Sequence, residues 1–189
     1  TTSGTGANNA GGAVTLVTSA GGITTASGTT ITTSAGGGAA TNAGTVIFRS
    51  NDTAVGLSGS ITATGAGTGT GTVTLGDGAT TATGVGAVTQ PAGTISATTL
   101  NVRSTSGGVS LDRTTNALTS LGSIVTTGGD FTYVDSDGLT MGTGGSIDTT
   151  KAASAGGAVS ITAGGALALR DITTSGTGAN NAGGAVTLV

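Results

Sequence analysis

Apolar residues along this chain alternate with small or hydroxyl-bearing ones in short bursts, most of them just after a glycine or threonine. AVTLV, TVIFR, TVTLG, TLNVR, DFTYV, AVSIT and a second AVTLV share the pattern, with first apolar residues at Val14, Val46, Val73, Leu100, Phe131, Val159 and Val186. The second apolar residues, Leu16, Phe48, Leu75, Val102, Tyr133, Ile161 and Leu188, keep the same step. A period of two marks a strand with one buried face. A further register is carried by isoleucines followed mostly by hydroxyl residues or Ala: Ile31, Ile61, Ile95, Ile124, Ile147 and Ile172. Between the two lies a looser set, Ile23, Val55 with Leu57, Val85 with Val88, Val109 with Leu111, Leu139 with Met141, and Leu167 with Leu169. No stretch shows the three-and-four spacing of an amphipathic helix, and 39 glycines would weaken one. Each unit therefore predicts three short strands separated by glycine-rich corners.

The units are themselves nested in a longer period. TTSGTGANNAGGAVTLV, from Thr1 to Val17, recurs without a mismatch from Thr173 to Val189, an offset of 172 residues. Steps of 27 to 32 residues between successive first-register strands divide that offset into six units. Three strands per turn of this length predict an all-β fold, a right-handed parallel β-solenoid with about six coils per 172-residue repeat. Residues 1–172 form one long repeat, and residues 173–189 open the next. In such a fold each strand pairs with its equivalent one coil away, about 4.8 Å along the axis, so like residues stack into inward ladders. The predicted ladders are the series Val14 to Val186 and the series Ile31 to Ile172. The right hand follows the general preference of parallel crossovers.

Composition narrows the function classes. Charged residues make up only 7% of the chain and the net charge is −3, so nothing resembles a nucleic-acid footprint. Mean hydropathy is positive, at +0.29, unlike the usual disordered chain. No apolar run is long enough for a transmembrane helix. There is no Cys and no His, which removes disulfide frameworks, zinc and haem ligation and the imidazole-assisted nucleophiles. No catalytic residue and no organic cofactor is assigned, and the chain reads as a non-enzyme.

The remaining motifs are sparse. Gly65 to Val73, GAGTGTGTV, lacks the Lys of a phosphate-binding loop and reads as a corner. A polysaccharide-cleaving β-helix needs clustered carboxylates. The eight Asp are spread along the chain, mostly beside Gly, Ser or Thr, as turn residues are. The pairs Asp112-Arg113 and Arg170-Asp171 suit solvated corners. Asp135-Ser136-Asp137-Gly138 carries alternate carboxylates before a glycine, the opening of a calcium loop, so Asp135 and Asp137 are the candidate metal ligands and calcium the candidate ion. The same residues also suit a plain turn. Asn51-Asp52-Thr53 is a glycosylation sequon only in a host with that machinery.

Two surfaces are predicted outside the ladders. Beyond the isoleucines, Thr32, Ser34, Thr62, Thr64, Ser96, Thr98, Thr173 and Ser175 face outward, interrupted by Val125 and Asp148. Stacked hydroxyls of this kind form the flat face of Thr-rich ice-binding solenoids, and equally the solvated face of any soluble solenoid. In the first register Val17, Ile47 and Val134 point outward and offer one face for lateral self-association. Neighbouring repeats of the same chain are the predicted end-to-end partners.

Segments such as GGAVSITAGGALALRDITTSGTGANNAGGAVTLV, Gly156 to Val189, resemble the repeats of filamentous-haemagglutinin-type exoproteins and related bacterial β-strand-repeat adhesins. The resemblance implies an exported parallel β-helix at the cell surface, a rod for adhesion, biofilm or sheath formation. The units here are longer than the roughly twenty-residue repeats of the type member.

Overall fold

A computed structural model describes residues 1–6, 8–38, 40–78 and 83–189. Among them the chain is all-β, with no helix. A 10-stranded and a 7-stranded parallel sheet account for most strands, an arrangement consistent with a β-helix or solenoid.

The strands fall into three ladders that the chain visits in turn. The first begins at Val14–Val17 and continues through Val46–Arg49 and Thr72–Leu75. The second runs through Ile23–Thr25, Val55–Leu57, Val88–Thr89, Val109–Leu111, Phe131–Asp135, Val159–Ala163 and Val186–Leu188. The third starts with Thr30–Thr32 and Ser60–Ala63. Three ten-residue strands, Ile95–Ser104, Ala117–Thr126 and Leu139–Asp148, then join the third ladder to the first without a loop. Leu167–Ala168 and Asp171–Thr173 pair with the two ends of the last of these.

Like residues stack, as an alternating pattern requires. Val14, Val46, Val73 and Leu100 are partners in register, and so are Ile31, Ile61 and Ile95. Phe48, Phe131 and Tyr133 are fully enclosed, and the last two rings stack with centroids 6.5 Å apart.

Beyond Leu100 the registers depart from the sequence expectation. Leu100 pairs with Leu121, not Phe131, and Leu121 pairs with Met141. Phe131 belongs to the second ladder, between Val109 and Val159, and Val186 follows it there. The isoleucines shift too: Ile124, Ile147 and Ile172 continue the column of Leu16, Phe48, Leu75 and Val102 in the first ladder. The cause is an additional strand segment in the 31-residue step from Leu100 to Phe131. Its buried residues are Leu118 and Leu121. Leu118 and Leu121 stand three residues apart in unbroken register with Ala97 and Leu100, and register shifts between Leu100 and Val102 and between Leu121 and Ser123 then set Ile124 three residues beyond Leu121.

The corners share a clasp. Two residues after the isoleucine a Thr hydroxyl donates to the carbonyl of a Gly that lies two residues before the next valine. Thr33 donates to Gly44 (2.7 Å), Thr149 to Gly157 (2.6 Å) and Thr174 to Gly184 (2.8 Å). The same glycines return their N–H to the threonine carbonyls. These glycines also stack closely: a Cβ on Gly184 would lie 2.1 Å from the carbonyl oxygen of Gly157, so only Gly fits.

Candidate functional site

The carboxylates singled out for calcium lie where the second ladder turns toward the third. Asp135 ends the strand Phe131–Asp135 and is 3% exposed. One of its oxygens, Oδ2, accepts the Tyr133 hydroxyl and the Leu118 N–H (2.9 Å), and the other, Oδ1, accepts the Asp137 N–H (2.9 Å). Burial, and then the hydrogen bond and charge of Asp135, push the Tyr133 phenol far above its ordinary range. Asp137 is exposed and its carboxylate accepts the Ser136 hydroxyl at 3.4 Å. A cation entering this turn would compete with three donors already held by Asp135. Among the described residues no group of three His, Cys, Asp or Glu is placed to hold a metal.

Behind Asp135 sits a polar pair that the alternation did not reveal. Gln90 and Asn116, 3% and 0% exposed, exchange reciprocal amide hydrogen bonds of 2.7 and 2.9 Å. Asn116 also accepts the Ile95 N–H at 2.9 Å and donates to the carbonyls of Leu111 and Val134. Gln90 occupies an inward position two residues after Val88, where Leu57 and Leu111 stand in the neighbouring strands. Asn116 stands one residue before Ala117, whose partner is Ser96, and so beside Ile95. A polar residue at an otherwise apolar position was the available signal.

The hydroxyl array is split between two ladders. Thr32, Thr62 and Ser96 are partners, but Ala117 comes next. Val125, Asp148 and Thr173 stack in the first ladder instead. Beside the array, Thr64, Ser96, Thr98, Thr119 and Asp137 contribute to a groove of about 550 Å³ under the Gly65–Gly69 loop. Its hydroxyls line a concave trough, and it carries one carboxylate where a glycosidase needs two. A second groove, of about 350 Å³, is lined by Thr74, Asp77, Asn101, Arg103 and Ser123. The Arg49 guanidinium binds Asp77 at one side of it, and that hydrogen bond holds the Asp77 carboxyl below its usual value.

The three outward apolar residues do not all share a face. Ile47 lies in the first ladder beside Thr15, with Val17 two residues beyond, whereas Val134 lies in the second ladder beside Thr162. Val17 is 62% exposed. The sequon asparagine, Asn51, spends its amide on the Ser19 carbonyl (2.8 Å).

No family model, no curated protein and no solved structure matches the chain. No helix of the described residues is long and apolar enough to cross a membrane.

Proposed function

We propose that the chain is a structural repeat of an extracellular bacterial filament or surface adhesin, a stalk, fibre or sheath element with no catalytic role. The coiling is that of a right-handed parallel β-solenoid with three strands per coil. One observation carries the reading: the opening 17 residues recur unchanged at the other end of a stack of parallel ladders, so the stack extends by adding the same sequence again. Unpaired edge N–H and C=O groups of a parallel stack template further pairing.

The resemblance to haemagglutinin-type exoproteins supports surface display, and the lack of cysteine agrees with it. The test is end-to-end assembly. Residues 1–189 alone should associate end to end in a concentration-dependent way, measured by analytical ultracentrifugation and negative-stain microscopy. A version with a polar capping coil at each end should stay monomeric. An uncapped chain that remained a monomer would remove the repeat-joint reading.

A further inference from the structure

We propose that the 172-residue sequence period spans six coils and one third, so that each repeat in the rod is turned by a third of a revolution from the one before. This rests on the solenoid reading above and adds the phase of the repeats to it.

Two copies of one sequence in one molecule supply the first observation. Residues 2–6 and 8–12 repeat the contacts of residues 174–178 and 180–184. In both, a Thr hydroxyl reaches a Gly carbonyl, Thr2 to Gly12 and Thr174 to Gly184. In both, an Asn amide reaches back to a Thr carbonyl, Asn9 to Thr5 and Asn181 to Thr177. Asn8 and Asn180 have matching left-handed φ values of 62° and 66°. Yet the loops occupy different corners. The first is hydrogen-bonded beside Thr32 and Ser34, at the end of the third ladder, and delivers Val14 to the first. The second follows Ile172 in the first ladder and delivers Val186 to the second. Sequence and local conformation are conserved between the copies while the mounting has advanced by one ladder.

The path between them gives the same answer independently. From Val14 the chain returns to the first ladder at Val46, Val73, Leu100, Ile124, Ile147 and Ile172, and then steps on once to Val186 in the second. The additional third comes from the segment at Leu118 and Leu121. Its place is pinned by the enclosed Gln90–Asn116 amide pair and by the Leu118 N–H on Asp135. Buried polar pairs are suited to setting register, because any slip leaves both amides unsatisfied.

The consequence is a surface displayed on three sides. The exposed loop from Ser175 to Gly183 recurs once per repeat at successive corners and regains its direction only after three repeats. At ~4.8 Å per coil one repeat rises about 30 Å and the true axial period is about 90 Å. A partner of this loop, including a second rod, is met from three directions in turn, which favours a bundle over a flat sheet.

The lack of cysteine makes the test clean. Thr99 and Ser120 are partners across the first ladder, with hydroxyls 3.1 Å apart, so oxidised Thr99→Cys with Ser120→Cys should cross-link. If the repeat closed on whole coils, Leu100 would stack on Phe131, and Asn101→Cys with Thr132→Cys would close instead. Thr62→Cys with Ser96→Cys, partners in either case, calibrates the yield. Closure of the Asn101/Thr132 pair, or failure of the Thr99/Ser120 pair while the calibrating pair closes, overturns the proposal. On a chain of tandem 172-residue periods, gold bound to Cys at Ser175 of every repeat should appear at three azimuths in rotation. A straight rod labelled along one side refutes the phase and leaves the rod standing, whereas absence of rods refutes the rod itself.

Discussion

Tyr133 is the only tyrosine of a chain without tryptophan, and it is enclosed against Asp135 and Phe131. Its phenol titrates far above the ordinary value in the folded chain, because burial and the neighbouring carboxylate both oppose a phenolate. A raised folded pKa contributes stability that is fully present below the unfolded pKa of about 10 and lost as pH rises above it. Phenolate absorbance should therefore be absent from native protein above about pH 10 and should appear only with loss of the β circular-dichroism signal. Tyr133→Phe should flatten that alkaline decline while costing stability near neutrality, because Asp135 loses a donor. A phenolate signal in folded protein at its ordinary pH would contradict the enclosure.

Among the elements, the segment Ala117–Ser120 decides how the ladders are counted. Asn116 is its anchor, holding Gln90, Ile95, Leu111 and Val134 at once. Removing one partner of a buried amide pair leaves the other unsatisfied, at about 1–3 kcal/mol. Gln90→Leu and Asn116→Leu should each destabilise by that order, with Asn116→Leu the larger because its backbone partners are orphaned as well. The double variant should cost less than the sum, and a double-mutant cycle in denaturant reads the difference. Strict additivity would show that the two amides do not meet in solution.

For the whole molecule, the distribution of hydroxyls over two ladders bears on ice. Ice binding needs one flat face repeated over many coils. Here the column of Thr32, Thr62 and Ser96 gives way to Ala117, and its neighbours line a groove. A soluble capped form should show no thermal hysteresis above buffer, and Thr64→Leu with Thr98→Leu should leave that result unchanged. Hysteresis that those substitutions abolish would restore the ice-binding alternative. Lateral assembly is also a property of the whole rod. Ile47 and Val134 stand on different ladders, so the single apolar face expected from their sequence positions does not form.

The sequence alone determined that this protein is all-β, that its strands recur in parallel columns, and that Val14, Val46, Val73 and Leu100 stack, because alternation and spacing are local properties written in residue order. The corner clasp was present there as well, as Ile-x-Thr followed by Gly-x-Val, although its hydrogen bonds needed the fold to be seen. Only the tertiary structure decided which ladder each later strand joins. An inward-facing apolar residue satisfies any ladder equally, so hydrophobicity could not say whether Phe131 follows Leu100 or Val109. Leu118 and Leu121 escaped the pattern because they stand three residues apart, like their partners Ala97 and Leu100, and so break the period of two. In sequence the Asp135 turn resembles the opening of a cation loop, and only folding shows that Tyr133 and the Leu118 N–H stand against its carboxylate. The Leu118 donor comes from 17 residues away, and no local spacing encodes it.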